Sequence, residues 1–198
     1  MGADELQQHD RFLIEQLIRP IVNLYRITAQ PGDVPVAFVR QKRMAFREDI
    51  GFYADEGQTR ELFRIKARRV IDIGGRYDVH DANGQPIGVL EHQFRKSLLR
   101  THWRVLTPAD EELAVAQEKN AFVAVARRVV DFLPYGEWVP IPYDFHIHAG
   151  EREVGHFTRK FLSLRDTYTL DLSGDQEKRI DRRLGVALAV ALDALQNR

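Results

Sequence analysis

Residues 184–192 read LGVALAVAL, a run that is apolar around the whole circumference of a helix. A helix without a polar face cannot lie on a protein surface, so protein or lipid must enclose it. Spanning a bilayer takes about 20 consecutive apolar residues, whereas this run lies between Arg183 and Asp193. We therefore expect no transmembrane segment, and we expect the rest of the chain to bury this helix.

The composition of this segment also predicts where the helix begins and ends. Alanine is the strongest helix former and is uncommon in strands, which favours a helix over a strand here. Ser173 and Gln176 have the spacing of a capping box, which marks a helix N-terminus. These features predict a helix from about Asp175 to Ala194.

Before this helix, apolar and polar residues alternate in short runs separated by turn residues, as expected for strands with one buried face. The segment 61–68, ELFRIKAR, alternates most clearly. The predicted strands lie at about 12–18, 21–28, 36–41, 46–53, 60–67, 76–80, 86–93, 98–106, 112–118, 122–131, 138–147, 153–162 and 167–172. The predicted fold is mainly β with one buried α-helix, a closed antiparallel barrel of about 12 strands around a hydrophobic C-terminal helix. We expect residues 1–10 to be flexible and residues 11–198 to form a single domain.

The charge balance limits the choice of partners. The chain has 29 Lys and Arg and 29 Asp and Glu, so its formal net charge is zero, and it has no cysteine. Nucleic-acid binding usually requires a strong basic field, so nucleic acid is not an expected partner. The polar N-terminal segment MGADELQQHD does not resemble a signal peptide. The cytoplasm is therefore the expected location, where the chain could also attach to the periphery of a membrane.

An internal repeat covers the middle of the chain. A self-similar period indicates a repeated structural unit, so two similar meanders would give the barrel approximate internal symmetry. The matching segments are YDVH at 77–80 with YDFH at 143–146, Ile87-Gly88 with Val154-Gly155, and Arg95-Lys96 with Arg159-Lys160.

Residues 77–88, YDVHDANGQPIG, are similar to a hairpin that recurs in the tubby C-terminal-like superfamily, and within it in LURP-one-related and phospholipid-scramblase-like proteins. Residues 38–57 resemble the opening meander of this group, and Arg179 to Leu195 resemble its closing hydrophobic helix. The resemblance extends over nearly the whole chain from Phe12 onward. It implies a twelve-stranded barrel threaded by its C-terminal helix, in agreement with the alternation.

The resemblance also implies a role at lipids, because tubby domains bind phosphoinositides and scramblase-like proteins are associated with membranes. Scramblases carry an acidic calcium segment before the last helix, and the corresponding segment here, 171–182, reads DLSGDQEKRIDR. Asp171, Ser173 and Asp175 suit the first positions of a calcium loop, but Gln176 and Arg182 replace its glycine and its bidentate glutamate. We interpret this segment as a solvated, helix-capping turn.

His146 and His148 are the clearest candidates for a metal site. Alternate residues of a strand share a face, so both imidazoles point to one side, with Glu151 nearby as a third ligand. This leaves open a metal-dependent, cupin-like β-barrel enzyme. The glycine that precedes the histidine pair in cupins is missing, as is the second cupin motif, so the favoured interpretation is a pair of structural strand histidines without a metal. No motif combines a nucleophile with a base, and we assign neither catalytic residues nor a cofactor.

Basic residues form the remaining candidate site. They cluster from Arg40 to Arg47, from Arg64 to Arg69, and in the repeated pairs. Such residues are usually solvated surface charges, but clustered cations can hold anionic lipid headgroups. The predicted headgroup ligands are Arg95, Lys96, Arg159 and Lys160. The sequence thus favours a non-enzymatic lipid-associated or protein-interaction module, with anionic membrane lipid or another protein as its partner.

Overall fold

The computed structural model describes residues 3–18, 22–42, 49–68, 75–93, 102–118, 144–159 and 167–195. These residues form two helices and twelve strands. The elements are α1 (Ala3–Leu6), β1 (Arg11–Ile18), β2 (Val22–Gln30), β3 (Val34–Lys42), β4 (Asp49–Tyr53), β5 (Glu61–Ala67), β6 (Arg76–Asp81), β7 (Pro86–His92), β8 (His102–Leu106), β9 (Glu112–Glu118), β10 (Asp144–Ala149), β11 (Arg152–Arg159), β12 (Thr167–Asp171) and α2 (Arg182–Ala194).

The twelve strands close into a ring. Each strand pairs antiparallel with its neighbours in sequence, and β12 pairs with β1, with Arg11 opposite Asp171 and Glu15 opposite Thr167. The predicted closed antiparallel barrel of about twelve strands is confirmed. The strand predicted at 122–131 lies outside the described residues, as does the first part of the one predicted at 138–147.

Antiparallel pairing gives the barrel two distinct ends. The odd-numbered strands, from β1 to β11, all run toward one end, which we call the distal end. We call the opposite end the helix-entry end, because the segment 172–181 leads from it into α2. The turns at this end lead into β3, β5, β7, β9 and β11. The described strands therefore begin and end at one end of the barrel or the other.

The helix α2 packs among the inward-facing side chains of the strands. All of its residues except Arg183 are buried, and it contacts β5, β7 and β12, which lie on different sides of the ring. Near its C-terminal end, Asp193 accepts hydrogen bonds from the hydroxyls of Tyr25 (2.8 Å) and Tyr168. Apolar packing and a buried polar contact therefore both hold the helix against the sheet. Among the described residues, neither helix combines the length and the apolar character that crossing a bilayer requires.

The helix α2 begins later than the sequence predicts. It starts at Arg182, and Asp181 is its N-cap. The predicted start at Asp175 and the capping box of Ser173 and Gln176 are therefore wrong. The cause is local, because aspartate side chains compete with helix formation by binding nearby backbone N–H groups.

Asp175 makes that competing contact, and it is only 4% exposed. Its carboxylate accepts hydrogen bonds from the backbone N–H groups of Arg179 (3.1 Å) and Ile180 (2.9 Å). The fully buried guanidinium of Arg182 binds the same carboxylate at 2.7 Å and that of Asp10 at 2.6 Å. The interpretation of this segment as a solvated turn is therefore wrong at Asp175, whose oxygens are occupied by N–H donors.

The N-terminal residues contact the helix-entry end. Leu6 is fully buried, and the side chain of Gln7 accepts a hydrogen bond from the backbone N–H of Arg182 at 3.1 Å and donates one to Asp181 at 2.5 Å. These contacts were not expected from the sequence, which predicted flexibility over residues 1–10.

The structure explains why the repeat has glycine at positions 88 and 155. A Cβ atom at Gly88 would lie 2.6 Å from the backbone oxygen of Leu106 on β8 and 2.7 Å from the side chain of Leu184 on α2. At Gly155, its counterpart in the repeat, a Cβ atom would lie 2.8 Å from the side chain of Leu172. The repeated glycines thus let strands and neighbouring segments approach more closely than any side chain would allow.

We therefore expect Gly88→Ala to lower the free energy of unfolding by about 1–3 kcal/mol, the usual cost of overpacking. The oxygen of Leu106 belongs to the backbone and cannot rotate away as a side chain can. Denaturant unfolding followed by circular dichroism measures the change. A loss below about 0.5 kcal/mol, the range of ordinary surface substitutions, would contradict the close approach.

Candidate functional site

A bulge in β11 determines which side chains meet on the outer face of the barrel. Ile147 pairs with Gly155, but His148 pairs with Glu153, so Val154 is an extra residue in β11. Strict alternation from Gly155 would place Glu153 on the inner face of the sheet. The bulge turns it outward instead, and Val154 is buried.

His146, His148 and Glu153 form a cluster on this outer face. Their potential ligand atoms, ring nitrogens and a carboxylate oxygen, lie within 4.8 Å of one another. The two imidazole rings are nearly parallel, with centroids 6.3 Å apart, and His146 Nδ1 lies 2.8 Å from a carboxylate oxygen of Glu153. The side chain of His146 is 22% exposed and that of Glu153 is 46% exposed, so small solutes can reach the cluster.

Two further polar groups lie beside His146. Its Nε2 atom is 3.5 Å from the carboxylate of Asp144, and His156 faces it across the β10–β11 pair. The hydrogen bond with His146 lowers the pKa of the Glu153 carboxyl; burial opposes this effect, and the charges of His146, His148 and His156 reinforce it. Glu153 therefore presents a negative charge to the two imidazoles at neutral pH.

The structure brings the two predicted histidines together, but not the predicted carboxylate. Glu151 lies in the exposed turn between β10 and β11 and is outside the three-residue cluster, in which Glu153 supplies the carboxylate. The sequence carries a related signal but does not by itself identify Glu153, because the bulge is visible only in the structure. Val154-Gly155 repeats Ile87-Gly88, and Ile87 is the extra residue of an equivalent bulge between β6 and β7.

Of the four predicted headgroup ligands, Arg159 lies among the described residues. It is half-buried and is the last residue of β11, at the distal end. Arg95 and Lys96 follow β7, and Lys160 follows β11, outside the described residues. Because β7 and β11 run in the same direction, the chain enters both basic pairs from the same end of the barrel.

The predicted basic cluster from Arg64 to Arg69 contains paired charges. Both of its described arginines bind carboxylates on neighbouring strands, and Arg104 on β8 does the same. The pairs are Arg64–Asp49 at 3.0 Å, Arg68–Asp78 at 2.7 Å, Arg104–Glu91 at 2.8 Å and Arg104–Glu112 at 2.7 Å. These arginines are already partnered by carboxylates, which makes this part of the wall a poor site for an anionic ligand.

A shallow groove of about 460 Å³ crosses the outer face of β1, β2 and β3. Arg26 lies over the ring of Phe38, 6.0 Å from its centroid, and Glu15 and Asp33 lie in the same groove. The two carboxylates offset the charge of Arg26, and no predicted site residue lines the groove. It therefore adds nothing to the candidate sites that the sequence predicts.

The fold defines a class of protein, a closed twelve-stranded antiparallel barrel that buries its apolar C-terminal helix. A family model described as LURP-one-related matches residues 36–193, from within β3 to within α2. The chain therefore belongs to the LURP-one-related family, as the resemblance in its sequence indicated. A search of curated proteins found no match.

Proposed function

We propose that this LURP-one-related barrel is a non-enzymatic, cytoplasmic module that attaches peripherally to anionic lipid surfaces at its distal end. The observation that carries the proposal is the unequal charge, in the sequence, of the connecting segments that follow the strands at the two ends. Membership of the family supports it, because the wider tubby-like and scramblase-like relation that the sequence indicates includes lipid-associated proteins.

The connecting segments that follow the odd-numbered strands differ in charge from those that follow the even-numbered strands, although the whole chain is neutral. The distal connections, residues 19–21, 43–48, 68–75, 93–101, 119–143 and 160–166, contain thirteen Lys or Arg and five Asp or Glu. The connections at the helix-entry end, residues 31–33, 54–60, 82–85, 107–111, 150–151 and 172–181, contain three Lys or Arg and nine Asp or Glu. Salt screens charges beyond about 10 Å, so an anionic surface responds to the end it touches rather than to the net charge.

Large apolar residues accompany the distal cations. Arg95 and Lys96 lie in the sequence FRKSLLR, and Lys160 begins the sequence KFLSLR. Cations interspersed with large apolar side chains suit the interface of an anionic membrane, where both kinds of group contribute to binding. This composition favours a lipid surface over a small soluble anion.

The proposal predicts salt-sensitive retention on anionic vesicles. Each cation near an anionic membrane contributes about 1 kcal/mol, so the four predicted ligands together give weak but measurable binding. We expect vesicles that contain phosphatidylserine to retain the chain at low ionic strength and to release it at high ionic strength. Changing Arg95, Lys96, Arg159 and Lys160 together to Gln should abolish this retention in a sedimentation assay without lowering the thermal midpoint.

The helix-entry end supplies a matched control. Its connections contain the exposed cations Arg60, Lys178 and Arg179, and Arg152 is exposed at the start of β11. Changing all four to Gln removes the same charge from the opposite end of the barrel. This control variant should be retained as well as the parent. Equal retention on neutral and anionic vesicles, or loss of retention in both variants, would refute attachment at the distal end. Failure of the parent to bind any vesicle would leave protein interaction as the function to pursue.

The metal-dependent, cupin-like enzyme gains no support from the geometry. His146 and His148 lie on the outer wall of the barrel, whereas catalytic sites generally need a concave surface that excludes water around the substrate. The part of the barrel interior that the structure describes is filled by α2 and apolar side chains.

A further inference from the structure

We propose that His146, His148 and Glu153 bind a divalent transition-metal ion, with Zn²⁺ as the best match, on the outer wall of the barrel. The site is independent of the lipid surface at the distal end, and the two can be tested separately. The proposal rests on the bulge in β11, on the ligand types that it brings together, and on the position of Asp144.

The three side chains are ligands that suit zinc. Two imidazoles and one carboxylate form a common zinc ligand set, which leaves a fourth position for water. Mg²⁺ and Ca²⁺ prefer oxygen ligands alone, so the two imidazoles select against them. The histidines come from alternate positions of β10 and the glutamate from the bulged position of β11, so the paired strands fix the backbone of all three.

The spacing allows the three side chains to share one ion. Zinc binds nitrogen and oxygen ligands at about 2.0–2.2 Å, so two ligands of one ion lie at most about 4.4 Å apart. The three candidate ligand atoms lie within 4.8 Å of one another. All three side chains reach solvent, so small rotations bring them to the ion, and the ion replaces the shared proton between His146 and Glu153.

Asp144 is placed to orient His146. When the ion occupies Nδ1 of this histidine, the ring proton lies on Nε2, which faces the carboxylate of Asp144 at 3.5 Å. That nitrogen is buried and makes no hydrogen bond. A carboxylate that accepts the second N–H of a metal-binding histidine fixes its tautomer and its orientation. Metal binding would thus satisfy a buried polar atom that lacks a hydrogen bond.

The sequence favours structural histidines without a metal, and the metal alternative that it leaves open takes Glu151 as the third ligand. That residue lies in the exposed turn, and without the bulge the β10 pair would face no carboxylate from β11. The inference therefore depends on the structure rather than on the histidine pair alone.

Isothermal titration of the full chain with ZnCl₂ tests the site. We expect one ion per chain, and no measurable binding in the same titration with MgCl₂. His148→Ala and Glu153→Gln should each weaken zinc binding tenfold or more, because each removes one of three protein ligands. The thermal midpoint of the parent should rise when zinc is added and return when EDTA is added, as linkage requires for a ligand of the folded state.

His9 provides the matched control, because it is a partly buried histidine on the N-terminal segment, outside the cluster. His9→Ala should bind zinc like the parent. Melting curves recorded in EDTA check that each variant is folded. The proposal is overturned by a parent that shows no saturable zinc binding, by His148→Ala and Glu153→Gln variants that bind like the parent, or by equal affinity for Mg²⁺.

Discussion

Leu188→Asp is expected to prevent the barrel from folding. Leu188 lies in the middle of α2 and is 1% exposed. Removing a buried leucine costs about 3–5 kcal/mol, and an unpaired buried carboxylate costs several kcal/mol more. A typical domain is stabilised by only about 5–15 kcal/mol in total. We expect insoluble protein, or a soluble chain without a cooperative thermal transition in circular dichroism.

Val34→Asp is the control for this change, because it introduces the same charge at an exposed apolar residue of the sheet. Val34 is 39% exposed, so we expect the free energy of unfolding of the Val34→Asp protein to differ from that of the parent by about 0.5 kcal/mol. A soluble Leu188→Asp protein that unfolds cooperatively near the midpoint of the parent would show that α2 is not enclosed.

Arg182→Met is expected to have the second largest effect. The guanidinium of Arg182 is fully buried and binds the carboxylates of Asp175 and Asp10 and the backbone oxygen of Ile180. Methionine fills most of the same volume but leaves the buried carboxylate of Asp175 without its counter-charge. Breaking a buried ion pair from one side costs about 3–5 kcal/mol. Denaturant unfolding should show a loss of this size.

Arg183 is a control that shows whether the loss in Arg182→Met comes from the burial of the ion pair or from the loss of a charge alone. Arg183 pairs with Asp181, but its side chain is 22% exposed, so Arg183→Met should cost about 1 kcal/mol or less. Adding Asp175→Asn to Arg182→Met should recover part of the loss, because the amide carries no charge and its oxygen still accepts one of the two backbone N–H groups. Equal losses for Arg182→Met and Arg183→Met would contradict the buried ion pair.

The barrel could be predicted because its signals are local and periodic. In β5, Phe63 and Ile65 are buried, whereas Arg64 and Lys66 face outward, as the alternation of this segment requires. The apolar run of α2 likewise predicts its own burial. Periodicity could not predict the start of the helix, because Asp175 forms competing hydrogen bonds with the backbone and with Arg182.

The candidate site could be predicted only in part. His146 and His148 share a face because a strand alternates, and alternation is visible in the sequence. Glu153 joins them through a bulge, which reverses the alternation of one strand at a single residue. Arg182 could not be predicted for a different reason. Its neighbours in sequence are polar, and its buried guanidinium pairs with Asp10, which lies near the opposite end of the chain.

The pairing of β12 with β1 has a consequence for synthesis of the chain on the ribosome. The two strands that close the ring are separated by most of the sequence, and α2 follows the last of them. Until that final segment emerges, the nascent sheet has two unpaired edges and an empty apolar face, which are features that recruit other strands. Contacts between distant segments also form slowly. The barrel therefore cannot be completed one hairpin at a time, and it relies on translation reaching α2 before its open edges meet another chain.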